Sequence, residues 1–408
     1  MARRVFLGTL LIDGMGKRPI RNPYIVVDDG IIQEIGSGRP PEELLEDAEL
    51  IDMSDATILP GLVDAHLHLA LADFRPDWPE IDADPVRMAL LAAQNAQLTL
   101  AAGVTTVGDC GARYGITIQL RDAIASGQIP GSRVWACGPF LTVTNGHGYA
   151  WTRWGLDTAD ELRKGIRKVV WDGADFVKIM ASGGSHWGPK NNRRRAQYTT
   201  DELRAAVEDA HRLNRRVHCH VNATEAMRSC IAAGVDVLEH CNWLGVEEGT
   251  IEYDHGAARL AGEKGLFAGM NCGNGFVPLV SRDGRGQDWG EMTRWDLMRR
   301  MQEAGVRIFI DTDAIGQGFD MLPKYMARMV DEGRANAMEV IEMTTLIPAQ
   351  AMGLADTIGS VQKGKLADML FVARNPLEDM STVVTPLAVV KEGEVVVRDG
   401  SIRFFPSS

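Results

Sequence analysis

The chain has 408 residues, of which 45% are hydrophobic and 24% are charged, the composition of a globular protein with a sizeable core. Its 43 lysines and arginines against 55 aspartates and glutamates give a net charge of −12, which argues against general binding to nucleic acid or to anionic membranes. The one basic cluster, KNNRRR at residues 190–195, is interpreted as a solvated or substrate-entrance loop.

The cysteines and the N-terminus indicate a cellular compartment. The six cysteines are scattered and include no CxxC pair, a pattern typical of a reduced, cytoplasmic protein. The apolar run near the N-terminus meets Asp13 early and has no small-residue cleavage site, so we predict a first β-strand there and not a signal peptide. No stretch approaches the roughly 18–20 apolar residues of a membrane span.

The two ends of the chain share one pattern. Residues 1–56 and 357–408 both consist of short apolar segments with alternating polarity, separated by Gly, Asp and Pro, which is typical of antiparallel β-structure. We therefore predict that the two ends pair into one small β-sandwich domain. Residues 57–356 then form the second domain.

In this second domain, strand-like segments alternate with helices. The helix predicted over residues 84–103 ends at Gly103 and leads directly into the apolar run VTTVGD, and TTDELRAAVEDAHRLNR begins with a Thr cap and has Glu202 in its first turn. Counting ILPGLVDAHLHL as the first strand gives eight strand–helix units. Such alternation predicts parallel strands, and eight units predict a TIM (β/α)8 barrel. A doubly wound open sheet is the alternative.

The active site of a TIM barrel lies at the carboxyl ends of its strands, so polar residues late in apolar strands are candidate functional residues. In the first strand, His66 and His68 are two residues apart and project from the same face. Taken alone, they are explained equally by a half-buried strand with a polar face.

Strand four, DFVKIMASGG, contains Lys178. A buried, charged and unpaired lysine would cost several kcal/mol. One interpretation is that the amine extends to the top of the barrel, where water solvates it. The other is that the neutral amine reacts with CO2 to form a carbamate, an anionic ligand with two oxygens that bridges two cations.

Further polar residues follow at later strands. His218 and His220 lie in strand five, His240 ends strand six, and Asp311 and Asp313 end strand eight. Each alone is compatible with a satisfied core residue. Together with strands one and four they would converge on one point, and imidazole and carboxylate are the ligands of zinc and related divalent metals.

Motifs along nearly the whole chain combine with this pattern: ILPGLVDAHLHL, AGVTTVGDCG, LRDAIASGQIPGSRVWACGP, NGHG, GADFVKIMASGG, AGVDVLEH, TDA and GKLADMLFVARNPL. The chain resembles the amidohydrolase superfamily, specifically its branch of imidazolonepropionase-like and Xaa-Pro or Xaa-Arg dipeptidase-like metal-dependent hydrolases. The combination of motifs carries the resemblance, since no single motif is specific enough.

The resemblance implies a centre of two divalent cations, expected to be Zn2+, with these ligands: His66, His68 and Asp313 for the first metal, His220 and His240 for the second, and carbamylated Lys178 between them. By the same resemblance, His218 is a packed residue or a neighbour of a ligand. Imidazolonepropionase uses one metal and no such lysine. The two-metal expectation therefore depends on Lys178.

The resemblance also implies a reaction. A hydroxide held between the two cations would attack a carbonyl that one cation polarises, and Asp313 would pass the proton to the leaving nitrogen. We interpret His147, in TNGHGYAW, as a donor to the carbonyl oxygen or the developing oxyanion. The alternative is a loop histidine that stabilises its own turn.

The substrate is less well defined. Carboxypeptidase-like members of the superfamily usually follow the strand-five ligand with Ala-Tyr, whereas this chain has Val221 and Asn222. Bulky aromatic residues in the loops suit an apolar or aromatic small molecule, and the alternative for each is that it only packs the loops. The candidate substrate-binding residues are Tyr149, Trp151, Trp154, Trp187, Asn222 and Trp243. Arg193, Arg194 or Arg195 is a further candidate, for contact with a carboxylate at the entrance.

The sequence therefore predicts a hydrolase of an amide-type C–N bond in an N-acyl amino acid, aryl amide, carbamate or urea-like small molecule. The alternative is a dipeptidase or carboxypeptidase of the Xaa-Pro or Xaa-Arg type. A deaminase is less expected, because no Glu general acid is recognisable, and a metal-free binding module has no reason to keep a complete ligand set. The resemblance further implies a homo-oligomer.

Overall fold

The computed structural model describes residues 3–72, 84–184, 191–271 and 294–403. Its strands are β1 (Arg3–Leu11), β2 (Ile20–Arg21), β3 (Pro23–Asp28), β4 (Ile31–Ser37), β5 (Ala48–Pro60), β6 (Leu62–Leu67), β7 (Val104–Asp109), β8 (Arg133–Ala136), β9 (Val177–Met180), β10 (Val217–Ala223), β11 (Val237–Leu244), β12 (Phe267–Asn271), β13 (Arg307–Asp311), β14 (Met369–Val372), β15 (Ala388–Lys391), β16 (Glu394–Arg398) and β17 (Ser401–Ile402).

The helices lie between these strands and are as follows: α1 (Glu42–Leu45), α2 (Pro85–Ala101), α3 (Ile116–Ala125), α4 (Tyr149–Thr152), α5 (Ala159–Trp171), α6 (Thr200–Arg212), α7 (Thr224–Ala233), α8 (His255–Glu263), α9 (Arg294–Glu303), α10 (Leu322–Asp331), α11 (Ala337–Met343) and α12 (Leu346–Met352). Thr199 caps α6 in a capping box with Glu202, as the sequence predicts. Within the described ranges, no helix is long and apolar enough to cross a membrane.

The two chain ends are joined in one nine-stranded sheet, in the order β17-β16-β15-β14-β5-β1-β3-β4 with β2 beside β1. The connection is β5, which runs parallel to β1 and antiparallel to β14. Hydrogen bonds of β5 thus link the strands of both chain ends in one sheet, and the packing of this sheet into two layers stays a prediction. Strand β5 also continues to Pro60, past the predicted boundary after residue 56.

The middle of the chain contains eight strands that are all parallel to their neighbours, in two groups: β6-β7-β8 and β13-β12-β11-β10-β9. Helices separate successive strands, as the alternating sequence predicts. Parallel bridges connect the groups on both sides, since His68 pairs with Ile315 and Leu141 pairs with Ile179. The fold is thus of the α/β class, and one large apolar core packs the helices onto these strands.

A buried ion pair joins the parallel strands to the end sheet. Arg133, at the start of β8, donates to Asp368 Oδ2 and to Glu392 Oε1, both at 2.6 Å. The Asp368 side chain is only 4% exposed, so it depends on this guanidinium for compensation of its charge.

We expect Arg133→Ala to lower the free energy of unfolding by about 3–5 kcal/mol, because it leaves a buried carboxylate unpaired. Arg163→Ala is the matched control, since Arg163 pairs with an Asp160 that is 83% exposed, and should cost about 1 kcal/mol or less. Equal losses of unfolding free energy in the two variants, measured by urea titration, would show that the Arg133–Asp368 pair stabilises the protein no more than an exposed pair does.

Candidate metal centre

The first group of predicted ligands converges at the ends of β6 and β13. His66 Nε2 lies 3.4 Å and His68 Nε2 lies 3.7 Å from Asp313 Oδ1. Ligand atoms of these three residues all lie within 4.8 Å of one another. Two imidazole nitrogens and one carboxylate oxygen at this spacing are able to hold a divalent transition metal.

A hydrogen-bonded connection between β6 and the residues after β13 fixes this convergence. Thr312 Oγ1 donates to Asp64 Oδ2 at 2.6 Å, and Thr312 N donates to Asp64 Oδ1 at 3.2 Å. Asp313 N donates to His66 O at 2.9 Å. These hydrogen bonds all join residues 64–66 to residues 312–313. The backbone therefore places His66 next to Asp313.

The ring orientation of His68 is also set by a neighbour. Its Nδ1 lies 3.1 Å from the carbonyl oxygen of Gly111, and a carbonyl only accepts hydrogen bonds, so Nδ1 carries the proton. The lone pair is then on Nε2, the atom near Asp313. This is the usual second contact of a metal-binding histidine.

The second group of predicted ligands is adjacent to the first. The His240 ring lies 5.1 Å from the His66 ring and 4.4 Å from the His220 ring, measured between centroids. His240 Nδ1 lies 3.9 Å from Asp313 Oδ2. His220 Nε2, however, accepts a hydrogen bond from Asn222 Nδ2 at 2.8 Å, so this atom faces Asn222 and not the first group.

A left-handed backbone explains how strand β11 contributes two consecutive residues to the interior. His240 has φ 73°, a conformation that is uncommon for a residue with a side chain. In a regular strand, neighbouring residues project to opposite faces. The break at His240 lets both Glu239 and His240 reach the histidine cluster, and strained backbone of this kind is typical of functional sites.

Lys178 is 1% exposed and lies beside His66. Its Nζ donates to His66 Nε2 at 3.3 Å, which is its one hydrogen bond in the part of the chain that the structure describes. Burial lowers the pKa of this amine, but the acidic groups of Cys110, Glu239 and Asp313 have the larger effect and raise it overall. A buried ammonium with one neutral acceptor is poorly satisfied by hydrogen bonds, so its charge depends on these acidic neighbours.

The buried imidazoles favour the neutral state that metal binding requires. Burial is the largest cause that lowers the pKa of each of three histidines well below its usual range, and nearby histidines and Lys178 add to it: His68, His220 and His240. Burial has the opposite effect on the carboxyl group of Asp64, whose pKa it raises to about 6.

His147 lies beside the second group, with its ring 4.2 Å from the His220 ring. Asn191 Oδ1 accepts from Gly184 N at 2.8 Å, so the amide nitrogen of Asn191 faces His147 Nδ1, at 3.4 Å. Nδ1 is then an acceptor, and the ring proton is on Nε2. A Cβ on Gly184 would lie 2.2 Å from the His147 ring, so only glycine lets this loop approach so closely.

Some of the predicted aromatic residues lie near the histidine cluster, whereas another lies in the core. Trp151 packs edge-to-face against His147, with 6.1 Å between ring centroids, and borders the histidine cluster. Tyr149 and Trp154 are half-buried on the same segment. Trp243 is completely buried, and its Nε1 donates to Met301 Sδ. Trp243 therefore packs in the core, and its backbone within β11 is left-handed, with φ 51°.

The remaining predicted substrate-binding residues are Asn222 and Trp187. Asn222 donates to His220 and accepts from Asn242 Nδ2 at 2.5 Å, so its amide is already hydrogen-bonded within the protein. Trp187 lies outside the described residues.

Two polar residues of the site, Glu239 and Arg294, were not predicted from the sequence. Glu239 contacts His66 Nδ1 at 3.1 Å, and Arg294 donates to Asn271 Oδ1 and Asn242 Oδ1. Glu239 could have been found, since it is a charged residue late in an apolar strand.

Comparison with known proteins identifies the family. The family model described as "Amidohydrolase family" matches residues 57–396. The chain belongs to the amidohydrolase family. An ochratoxinase of Aspergillus niger is 28% identical over 415 residues, covering 93% of this chain and 83% of the relative. A 5'-deoxyadenosine deaminase of Methanosarcina acetivorans is 26% identical over 392 residues, covering 86% and 80%.

Solved structures of other amidohydrolases share the fold. A Xaa-Pro dipeptidase with bound methionine has a TM-score of 0.80 at 29% identity, over 96% of this chain and 99% of that one. The A. niger ochratoxinase structure has a TM-score of 0.83 at 26% identity, over 97% and 96%. This amidohydrolase is therefore an enzyme, a hydrolase that acts on C–N bonds.

Proposed function

We propose that this amidohydrolase is a binuclear metal-dependent hydrolase that cleaves an amide-type C–N bond of a small molecule. The observation that carries the proposal is the convergence of His66 Nε2, His68 Nε2 and Asp313 Oδ1 next to the buried amine of Lys178. His220 and His240 complete the ligand set. Zn2+ as the metal, a cytoplasmic location and a homo-oligomeric state remain expectations from the sequence.

We further infer that the two groups of parallel strands form one (β/α)8 barrel. Backbone hydrogen bonds cross both gaps between the groups: His68 N donates to Ala314 O at 2.9 Å, and Leu141 N donates to Lys178 O at 2.8 Å. Both crossings lie at carboxyl ends of strands, next to predicted ligands. The barrel mouth is thus the region in which the ligands meet, as expected for this fold.

The chemistry divides between the metals and the side chains. Two divalent cations, when bound, would lower the pKa of a coordinated water and polarise the scissile carbonyl. Asp313 is the accessible acid of the cluster, with 18% of its side chain exposed, and Asn271 Nδ2 donates to its Oδ2 at 3.2 Å. We assign to Asp313 the transfer of a proton from the attacking water to the leaving nitrogen, which would otherwise depart as a poor leaving group.

His147 is assigned the stabilisation of negative charge on the carbonyl oxygen. The contact of Asn191 with Nδ1 places the ring proton on Nε2, and the ring borders His220 and Trp151. A preoriented neutral donor of this kind acts as one part of an oxyanion hole.

One of the three entrance arginines is available to a substrate. Arg194 Nη1 donates to the carbonyl oxygens of Gly245 and Thr250, both at 2.9 Å, and Arg195 lies 3.6 Å from Glu225. Arg193 is half-buried and has no hydrogen bond or ion pair with any described residue. A half-buried guanidinium that lacks hydrogen bonds is unfavourable, so an anionic group of the substrate would stabilise it.

The position of Arg193 supports this role. A Cβ on Gly183 would lie 2.8 Å from Arg193 N, so the two backbone segments are in direct contact. Gly183 O lies 3.3 Å from His220 Nε2. We therefore propose an N-acyl amino acid as the substrate class, with the free carboxylate on Arg193. The likeness to a Xaa-Pro dipeptidase keeps a dipeptide with a free C-terminus as the second candidate.

Matched substrate pairs test this proposal. We expect an N-acyl amino acid to be hydrolysed with a kcat/KM about 10²-fold above that of its carboxamide analogue, because one charged contact is worth about 1.5–3 kcal/mol. In Arg193→Met this preference should nearly disappear, mainly through a higher KM. Dipeptides, aryl amides, carbamates and ureas complete the panel.

Arg195→Met is the matched control, since Arg195 already pairs with Glu225, and it should keep the preference for the carboxylate. A neutral carbamate or urea as the best substrate would contradict the proposed class while leaving C–N hydrolysis intact. No hydrolysis of any member of the panel by the zinc-loaded protein would contradict the proposed function itself.

A further inference from the structure

A fully buried carboxylate lies beneath the proposed metal centre and joins two histidines of different strands. Glu239 Oε2 is 3.1 Å from His66 Nδ1, and Glu239 Oε1 is 3.1 Å from His218 Nδ1. All three side chains are at most 1% exposed. We infer that Glu239 is the positioning residue of the first metal site, because it holds His66 with Nε2 directed at Asp313. This inference rests on the proposed function, which supplies the metal.

The hydrogen-bond chemistry of a carboxylate determines which nitrogen of each ring carries the proton. A carboxylate only accepts, so both contacts require the proton on Nδ1. His66 Nε2 is then left with a lone pair, 3.4 Å from Asp313 Oδ1 and 3.3 Å from Lys178 Nζ. Without Glu239, either ring nitrogen of His66 could carry the proton, and the ring would also be free to rotate.

His218 supports Glu239 and does not act as a ligand. Its ring packs against Phe176 at 4.6 Å and Trp135 at 5.7 Å between centroids. Its Nε2 is buried and has no hydrogen-bond partner among the described residues. This agrees with a proton on Nδ1, and the aromatic packing holds the ring in the one orientation that reaches Glu239.

The surroundings of Glu239 leave its carboxylate little freedom. Gly269, its neighbour on β12, has no side chain, and a Cβ there would lie 2.1 Å from Glu239 Oε2 and 2.7 Å from Asp311 Oδ2. Asp311 Oδ1 is 3.9 Å from His66 Nδ1, which is too far for a hydrogen bond. In the described part of the chain, Glu239 is thus the hydrogen-bond acceptor of His66 Nδ1, with Asp311 and Cys110 as further neighbours.

Glu239→Leu tests the inference with a side chain of similar size. A leucine has no acceptor, so His66 Nδ1 loses its hydrogen bond in this variant. We expect the dissociation constant of the first Zn2+, measured by competition with a chromophoric chelator, to rise about 10–100-fold. His218→Phe is the matched control, because it keeps the aromatic packing and leaves Glu239 to His66, and it should stay within about threefold of wild type.

Two results would overturn the inference: an unchanged Zn2+ affinity in Glu239→Leu, or an equal loss in Glu239→Leu and His218→Phe, which would indicate a packing effect. A third measurement does not depend on any glutamate variant. Nitrogen NMR of the histidine-labelled, metal-free protein, assigned with His66→Asn, should show the His66 proton on Nδ1, and a proton on Nε2 would equally overturn it. Absence of tight Zn2+ binding in the wild type would instead refute the proposed function.

Discussion

Asp313→Asn is expected to lower kcat by about 10³-fold or more, because the amide keeps an oxygen near His66 and His68 but cannot carry a proton. The wild-type carboxylate lies within 3.4–3.7 Å of both histidine Nε2 atoms and is the accessible acid of the cluster. KM should change much less than kcat, since Asp313 acts on the reacting atoms and not on the substrate carboxylate.

Metal analysis separates the two roles of this residue. If Asp313→Asn retains bound metal and loses kcat, the proton transfer is the missing function. Asp320→Asn is the control on the following loop, because Asp320 is exposed and pairs with Lys324, and it should behave as wild type. A variant at Asp313 with kcat within tenfold of wild type would show that another group moves the proton.

Lys178→Ala has the second large expected effect. Without the bridging ligand, bound metal should fall from about two equivalents to about one, and kcat should fall about 10³-fold, the equivalent of several kcal/mol of transition-state stabilisation. Stability should be unchanged or higher, because the variant removes a buried amine that has a single hydrogen bond in the described structure.

Carbon NMR of protein grown with labelled bicarbonate tests the carbamate directly, since a carbamate carbon should appear in wild type and be absent from Lys178→Ala. Lys168→Ala is the control, because Lys168 is exposed on α5 and pairs with Asp172. Two equivalents of metal in Lys178→Ala would refute the bridging role, and the site would then resemble one assembled by histidines and Asp313 alone.

The residues of the proposed metal centre differ in how readily the sequence pattern reveals them. His66 and His68 are two residues apart, so the period of a strand places them on one face before any fold is known. Lys178 is detectable for a related reason, since a charged residue within an apolar strand needs an explanation. The same argument applies to Glu239, a charged residue beside His240 in the apolar strand β11.

The alternation of side chains along a strand predicts the wrong orientation where the backbone is left-handed. A regular strand would turn Glu239 away from the face of His240 and would place Trp243 on the same face as Glu239. The φ of 73° at His240 and 51° at Trp243 brings Glu239 and His240 to one interior and places Trp243 in the core. Such conformations depend on contacts with the rest of the protein, which no local pattern contains.

The sequence alone determined the eight strand–helix units, the family resemblance and the predicted ligands, because hydrophobic periods and motif spacings are local properties of the chain. Only the tertiary structure decided that both chain ends share a sheet through β5, that Arg193 has no hydrogen bond or ion pair among the described residues, and that Glu239 joins His66 to His218. These features are contacts between residues far apart in the chain, and their geometry is set by packing, which spacing does not encode.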